Sequence, residues 1–455
     1  MYVSDYVIFG KNKDDDYILI HSYLGNVDIL EKKYADILVK CKEKNTKVNE
    51  GILPQEIYAQ LKRKGYIVEN KSYDKERYLK IANKLKEISV KKSINYTIIP
   101  SYECNFRCSY CFELESVGKT TNNKIMPKKI VDYIFNDIDK KISDKKKISI
   151  ILFGGEPLLV QNKEINEYIV KNAEKRNLKV SAISNGYELD NYIDIFAKGN
   201  FDSIQVTLDG DEEVHDSRRY RVGKKPTFKK IIENIDKVLK VEKGPEITVR
   251  INVDKNNFNS VKNLFELFKE KKWIENKKFS FYTKSVHACY AKPSEKVYDS
   301  DVIDNVKVFN DTLENMKCNI QYRRMISDIK SIFSTKNKLG TLRTSACGAV
   351  NGMQVIDAYG YIYACYEEVD TKENAIGYIN PDTGEFIYNT KRKIWLNRHV
   401  QNIDECSKCS YSLICAGGCP QHTKVETGSL YNACCCDEKE IFNRVLLELA
   451  PTMED

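Results

Sequence analysis

Between residues 95 and 283 the chain repeats one unit six times, a short apolar or β-branched run followed by an amphipathic stretch. The runs are YTIIPS (96–101), ISIILF (148–153), KVSAIS (179–184), SIQVTLD (203–209), EITVRINV (246–253) and KFSFYT (278–283). Continuous apolar runs predict strands covered on both faces, because a half-exposed strand alternates instead. The intervening segments, such as KKIVDYIFNDIDKKI and FKKIIENIDKVLK, carry apolar residues at helical spacing. Such units in series bury their apolar faces as a parallel α/β sheet, flat or curled into part of a barrel. Catalytic groups then collect where the strands end. The first four predicted strands run into unusual loops: CNFRCSYCFE (104–113), Gly154-Gly155-Glu156-Pro157, Ser184-Asn185-Gly186, and Asp209-Gly210 followed by His215-Asp216 and Arg218-Arg219.

The flanks read differently. In residues 1–90, YVIFG and YILIHS form a predicted hairpin around KNKDDD, LGNVDIL adds a third strand, and two amphipathic helices follow, ending in LKRKGYIV. Residues 91–310 hold the repeated units and 311–340 a helical connector. Residues 341–455 are rich in Cys and Gly with weak periodicity, a composition expected to need ligated metal to hold its fold. The net charge of +8 is a small excess of 73 basic over 65 acidic residues, and the Lys runs read as solvated helix faces, so no nucleic-acid partner is expected. No early segment resembles a signal peptide, and no apolar run approaches the ~18 residues of a membrane helix, so no membrane partner and a cytoplasmic location are expected. In a reducing cytosol, fifteen cysteines point to metal or cluster ligation rather than disulfides. Cys41, Cys289 and Cys318 stand alone and read as small buried apolar residues. The other cysteines are grouped at 104–111, at 347 and 365, and from 406 to 436.

A structural zinc site needs four ligands, and no fourth Cys or His lies near Cys104, Cys108 and Cys111 in sequence. A cubane cluster on three thiolates instead leaves one iron open to a substrate or cofactor. CNFRCSYC resembles the CxxxCxxC signature of radical S-adenosylmethionine (SAM) enzymes, and the other rim loops are similar to that family's motifs. The resemblance implies a partial (β/α)6 TIM-like barrel. It also implies a [4Fe–4S] cluster on Cys104, Cys108 and Cys111, whose open iron chelates the amino and carboxylate groups of SAM. Tyr110 would lie against the adenine. Gly154, Gly155, Glu156 and Pro157 look like the family's GGEP motif, which binds the methionyl ammonium. Ser184 and Asn185 would contact the ribose, and Arg219 would pair with the methionyl carboxylate, with a surface salt bridge as its alternative role. Cleavage of the sulfonium would yield a 5′-deoxyadenosyl radical that abstracts hydrogen from a substrate.

The C-terminal cysteines are similar to the seven-cysteine SPASM pattern: Cys347-x12-Gly360-x4-Cys365, then Cys406-x2-Cys409-x5-Cys415-x3-Cys419, then a terminal cysteine. That pattern implies two auxiliary [4Fe–4S] clusters, and three in all. One would use Cys347, Cys365 and Cys419. The other would use Cys406, Cys409, Cys415 and one of Cys434, Cys435 and Cys436, with Cys436 preferred. Relatives whose first auxiliary cluster is fully ligated carry an extra cysteine where this chain has Thr341. A vacant iron is therefore implied there unless Cys318, Cys289 or a spare of the triplet closes it. A zinc ribbon is the alternative for the CxxC pairs.

Residues 1–90 resemble a winged-helix-like leader-recognition module of peptide maturases. The expected enzyme is a maturase of a ribosomally made precursor peptide, installing a thioether from cysteine sulfur to carbon, with a flavodoxin or ferredoxin type reductant. Carbon–carbon crosslinking or epimerisation fits the same motifs. The runner-up is an anaerobic sulfatase maturase, against which stand residues 1–90 and Tyr366, where that family has a proton-accepting Asp. A non-enzymatic electron-transfer or cluster-carrier protein is the third reading. His287 and Cys289, after the sixth strand, are candidates for a late proton transfer or for packing.

Overall fold

The computed structural model describes residues 1–113, 124–286, 296–334 and 341–450. The chain forms two compact units. One joins Met1–Ser89, Asp311–Cys347 and Asn397–Asp455, and the other joins Val90–Asn310 and Gly348–Leu396.

In the first unit, β1 (Tyr2–Val3), β2 (Val7–Lys11), β3 (Tyr17–His21) and β4 (Val27–Leu30) precede the helices Lys32–Glu43, Gln55–Arg63 and Lys71–Lys92. β5 (Ile67–Val68) pairs antiparallel with β1. The predicted hairpin is β2–β3, with Phe9 opposite Leu19, and β4 adds to β3 to give the antiparallel order β2-β3-β4. β3 is central, so Ile18, Leu19 and Ile20 are all buried where an exposed strand would alternate. Val7, Leu19, Leu38, Leu61 and Ile67 share one apolar cluster. Gly10 faces the C-terminal helix Glu438–Leu449; a Cβ there would stand 2.2 Å from Leu446 Cδ2. Tyr6 stacks on Tyr78 at 4.3 Å, the Tyr6 hydroxyl donates to Ser407 O at 2.9 Å, and the Tyr78 hydroxyl meets Ser412 Oγ at 2.8 Å. The N-terminal strands and helices are thereby tied to the turns that carry Cys406, Cys409 and Cys415.

The second unit contains all six strands predicted from the repeat: β6 (Ser93–Ile98), β7 (Lys147–Leu152), β8 (Val180–Ser184), β9 (Phe201–Thr207), β10 (Glu246–Val253) and β11 (Phe279–Ser285). Each pairs in parallel with its sequence neighbour, the order of a (β/α) barrel. Among the described residues the sheet does not close on itself. β12 (Gln354–Ile356) lies parallel on the free side of β6, and β13 (Tyr361–Tyr363), β14 (Gly377–Ile379) and β15 (Phe386–Tyr388) extend it antiparallel. Consecutive parallel order brings the ends of β6 to β9 to one rim.

Candidate active site

β6 leads into the three-cysteine loop past Tyr102 and Phe106, both buried. That loop is framed by the one after β9. Arg107 N donates to Tyr220 O at 2.7 Å, Ser109 N donates to Arg218 O at 3.0 Å, and Phe106 bridges Arg221. The Phe106 amide points at Cys104 Sγ, 3.4 Å away. Burial pushes the Cys104 thiol well above its ordinary value, with Glu156 and the thiols of Cys108 and Cys111 adding to the effect. Burial likewise takes Cys111 up to about 11, with Glu113 and Cys108 contributing. Burial raises all three thiols, while the Arg219 guanidinium draws Cys108 and Cys111 the other way; a metal centre that binds them as thiolates would supply further positive charge.

The loop after β7 lies against this one because two glycines permit it. Gly154 and Gly155 have φ of 86° and 30°. A Cβ on Gly155 would stand 2.2 Å from Glu103 O, and the Glu156 amide donates to that same oxygen at 2.7 Å. The Glu156 carboxylate is buried and accepts from Leu158 N at 2.8 Å, Ser184 Oγ at 2.8 Å and Asn185 N at 2.5 Å. Burial outweighs these three donors and pushes Glu156 up to about 7. Asn185 Nδ2 then donates to Asn105 Oδ1 at 2.7 Å, returning the network to the cysteine loop. Pro157 contributes its carbonyl, which accepts from Asn166 Nδ2 at 2.8 Å.

The two arginines after β9 have opposite fates. Arg218 is paired twice, with Asp209 at 3.1 Å and Asp254 at 2.6 Å. Arg219 is buried, donates from Nη1 to the Tyr110 hydroxyl at 2.7 Å, and has no hydrogen-bond partner for Nε among the described residues. Its backbone is held by His215 and Thr227: Arg219 N donates to His215 O at 2.8 Å, and Thr227 Oγ1 donates to Arg219 O at 2.6 Å. A buried guanidinium without a carboxylate is poised for an anion. Both arginines stand over the Tyr110 ring, at 5.1 and 6.0 Å, and Asn252 Nδ2 also donates to the Tyr110 hydroxyl, at 3.1 Å. The structure therefore brings Cys104, Cys108, Cys111, Tyr110, Glu156, Ser184, Asn185 and Arg219 onto one rim. His287 and Cys289 lie outside the described residues.

Glu113 was missed by sequence reasoning. It is buried, its Oε1 has no partner among the described residues, and burial pushes it up to about 7, with Asp370 adding. Its only signal in sequence is an acid two residues beyond the last cysteine of the motif. Tyr366 also belongs to this unit, its ring 5.0 Å from that of Phe153. Cys365 is buried just before it.

In the first unit, Cys406 sits on the short helix Asp404–Ser407 and Cys415 on Ser412–Cys415. Ala416, Gly417 and Gly418 have φ of 63°, 78° and 67° and carry the chain to Cys419. Arg398, absent from the sequence-based site, is fully buried and donates to Leu430 O at 2.7 Å, Gly417 O at 2.7 Å, Gly418 O at 3.2 Å and Thr423 Oγ1 at 3.1 Å. Its pKa is lowered by burial, against the opposing pull of Cys406, Cys347, Cys419 and Cys415. Burial likewise pushes the Cys406 thiol up to about 12, with Cys435 and Cys409 adding. Cys318 is buried with its thiol 3.7 Å from Glu314 O. None of the described cysteines is in a disulfide.

Residues 98–268 match the Radical SAM superfamily model. The matched stretch is a radical SAM domain, and the chain is an enzyme. Over 390 residues it is 26% identical to a cysteine-type anaerobic sulfatase-maturating enzyme of Clostridium novyi (strain NT), covering 79% of this chain and 96% of that one. It is 30% identical over 172 residues to an S-adenosylmethionine-dependent nucleotide dehydratase of Psychrobacter lutiphocae, over 35% of this chain and 55% of that one. The solved structure of native anSMEcpe with bound AdoMet and Cp18Cys peptide shares the fold at TM-score 0.58 and 20% identity, covering 80% of this chain and 99% of that one. Among the described residues no helix is long and apolar enough to cross a membrane.

Proposed function

We propose that this enzyme matures a ribosomally made precursor peptide by joining a cysteine sulfur to a carbon of another residue. The observation that carries this reading is the sheet β2-β3-β4. β4 is an end strand with one neighbour among the described residues, and Ile29 on it is 56% exposed. Such an edge can take one more strand, so a leader segment would bind by main-chain hydrogen bonds and deliver the rest of the peptide at high local concentration. Residues 1–89, as part of a 455-residue chain, are about the size of the share that the sulfatase-maturating relative leaves uncovered.

The barrel rim suits the cofactors on its own chemistry. Cys104, Cys108 and Cys111 offer three thiolates, Gly154 and Gly155 clear a cradle, Glu156 offers an acid for the methionyl ammonium, and Arg219 a base-free cation for the carboxylate. Ser184 and Asn185 hold Glu156 and leave Asn185 beside the cysteine loop for the ribose. SAM bound at a reduced cluster supplies the hydrogen-abstracting species. The chain positions the peptide, excludes water and takes up the proton of the cysteine thiol. The buried Glu113, whose Oε1 has no hydrogen-bond partner among the described residues, stands near the rim as the acceptor of that proton. The product lacks two hydrogens relative to the peptide: one would leave in 5′-deoxyadenosine and the other as the thiol proton, and auxiliary clusters held by the C-terminal cysteines would supply the acceptor for its electron. Those two clusters would use Cys347, Cys365 and Cys419, and Cys406, Cys409 and Cys415 with a member of the 434–436 triplet. A flavodoxin or ferredoxin type protein would return the chain to its reduced state.

A second reading is favoured by the 96% coverage of the cysteine-type sulfatase-maturating relative: oxidation of a cysteine to formylglycine. One experiment separates the two. Anaerobic enzyme is given SAM, dithionite and a cysteine-containing peptide encoded beside its gene, and the peptide is weighed. Loss of two hydrogens with sulfur retained supports the crosslink; loss of sulfur as sulfide overturns it. Removing residues that pair with β4 from the leader should raise KM and leave kcat unchanged.

A further inference from the structure

The last three cysteines, Cys434-Cys435-Cys436, lie in a segment without helix, just before Glu438–Leu449. Alternate side chains of such a segment point to one side and the intervening one to the other. Cys434 and Cys436 indeed converge: their sulfurs and a ring nitrogen of His422 all lie within 4.8 Å of one another, while Cys435 is exposed. His422 is buried on the helix Pro420–Thr427, and the Glu426 carboxylate, one turn on, stands 3.7 Å from its Nε2. A carboxylate beside one ring nitrogen is the arrangement that orients a metal-ligating imidazole and raises its basicity.

We propose that His422, Cys434 and Cys436 bind a single thiophilic divalent cation of the zinc class, separate from the cluster ligands, and that Cys435 is the triplet's contribution to the Cys406, Cys409 and Cys415 set. The spacing decides between one ion and a cluster. A tetrahedral zinc holds sulfur at about 2.3 Å and nitrogen at about 2.0 Å, so its ligand atoms sit roughly 3.5 Å apart, a small contraction from the observed set. A cubane binds its thiolates at separate iron corners and keeps them further apart. The donor set of two sulfurs and one imidazole is also what zinc selects, and it differs from the all-thiolate set of a cubane. The cation would clamp the 434–436 segment onto Pro420–Thr427, next to the turn where Cys434 O would stand 3.1 Å from a Cβ on Gly418. Three protein ligands leave a fourth position for water or an added thiolate. This inference does not depend on which peptide the enzyme modifies.

The test uses the anaerobically isolated holoenzyme from zinc-supplemented cells, washed with chelator. Zinc should remain at one equivalent per chain, and zinc-edge X-ray absorption should show two sulfurs at about 2.3 Å and nitrogen at about 2.0 Å. His422→Ala and Cys436→Ser should lose the zinc and keep iron and sulfide; Cys435→Ala should lose one cluster's iron and sulfide and keep the zinc. Zinc that washes out of the wild type, zinc surrounded by four sulfurs, or iron and sulfide lost from Cys436→Ser but not from Cys435→Ala would each overturn the assignment. The wild-type spectrum stands as a test even where a variant fails to fold.

Discussion

The barrel rim and the C-terminal cysteine region present the same ligand atoms on different supports. At the rim, Cys104, Cys108 and Cys111 sit on a loop whose amides are already bonded to Arg218 and Tyr220, at the end of a parallel strand. In the C-terminal region Cys406 and Cys415 sit on four-residue helical turns, with three consecutive left-handed residues and a buried Arg398 whose donors satisfy the surrounding carbonyls. The rim loop is held by main-chain hydrogen bonds, whereas the other region gathers its carbonyls around one internal cation.

The largest effect should come from replacing Cys104, Cys108 and Cys111 together by Ala. Formation of 5′-deoxyadenosine should fall to background while amide-exchange protection of β6 to β11 is kept; lost protection would mean the rim is not preorganised. Next, Arg398→Met leaves buried acceptors at Gly417, Gly418 and Leu430, at a cost on the order of 3 kcal/mol. A lowered thermal midpoint confined to the first unit checks it, and an unchanged midpoint would break the contrast. Gly155→Ala forces a Cβ toward Glu103 O and should cost the barrel unit roughly 1–3 kcal/mol while weakening SAM binding, read by denaturant unfolding and by calorimetry. The smallest effect concerns Glu156, whose folded pKa is raised to about 7 by burial. An acid with a raised folded pKa favours the fold at low pH and loses that contribution as pH rises through the folded value. Glu156→Gln should therefore stabilise the cofactor-free barrel above about pH 7. An ammonium ligand needs the carboxylate, so SAM affinity should rise about tenfold per pH unit up to that value and then level off. A flat profile would place the ammonium elsewhere.

Much of this was legible locally. Apolar runs and helical spacing located β6 to β11 within a few residues, because period and composition are properties of short segments. The motif residues were visible because their loops follow strand ends. Residues whose role lies in a distant partner were not. Arg398 looks like any surface arginine until Leu430 and Gly417 close around it. Arg218 and Arg219 are adjacent and chemically identical, yet only the fold pairs Arg218 with Asp209 and Asp254 and leaves Arg219 facing Tyr110. Glu113 reads as one more acid until burial raises its pKa.

The amino-acid sequence by itself determined that a parallel strand-and-helix core would gather a three-thiol loop, a Gly-Gly-Glu-Pro turn and an arginine pair at one rim, because strand direction follows from repeat order. Tertiary structure alone decided how neighbouring residues divide their work: which arginine stays unpaired, which acid is desolvated, and which cysteines of the final triplet face His422. Those outcomes depend on burial and on contacts between residues far apart in the chain.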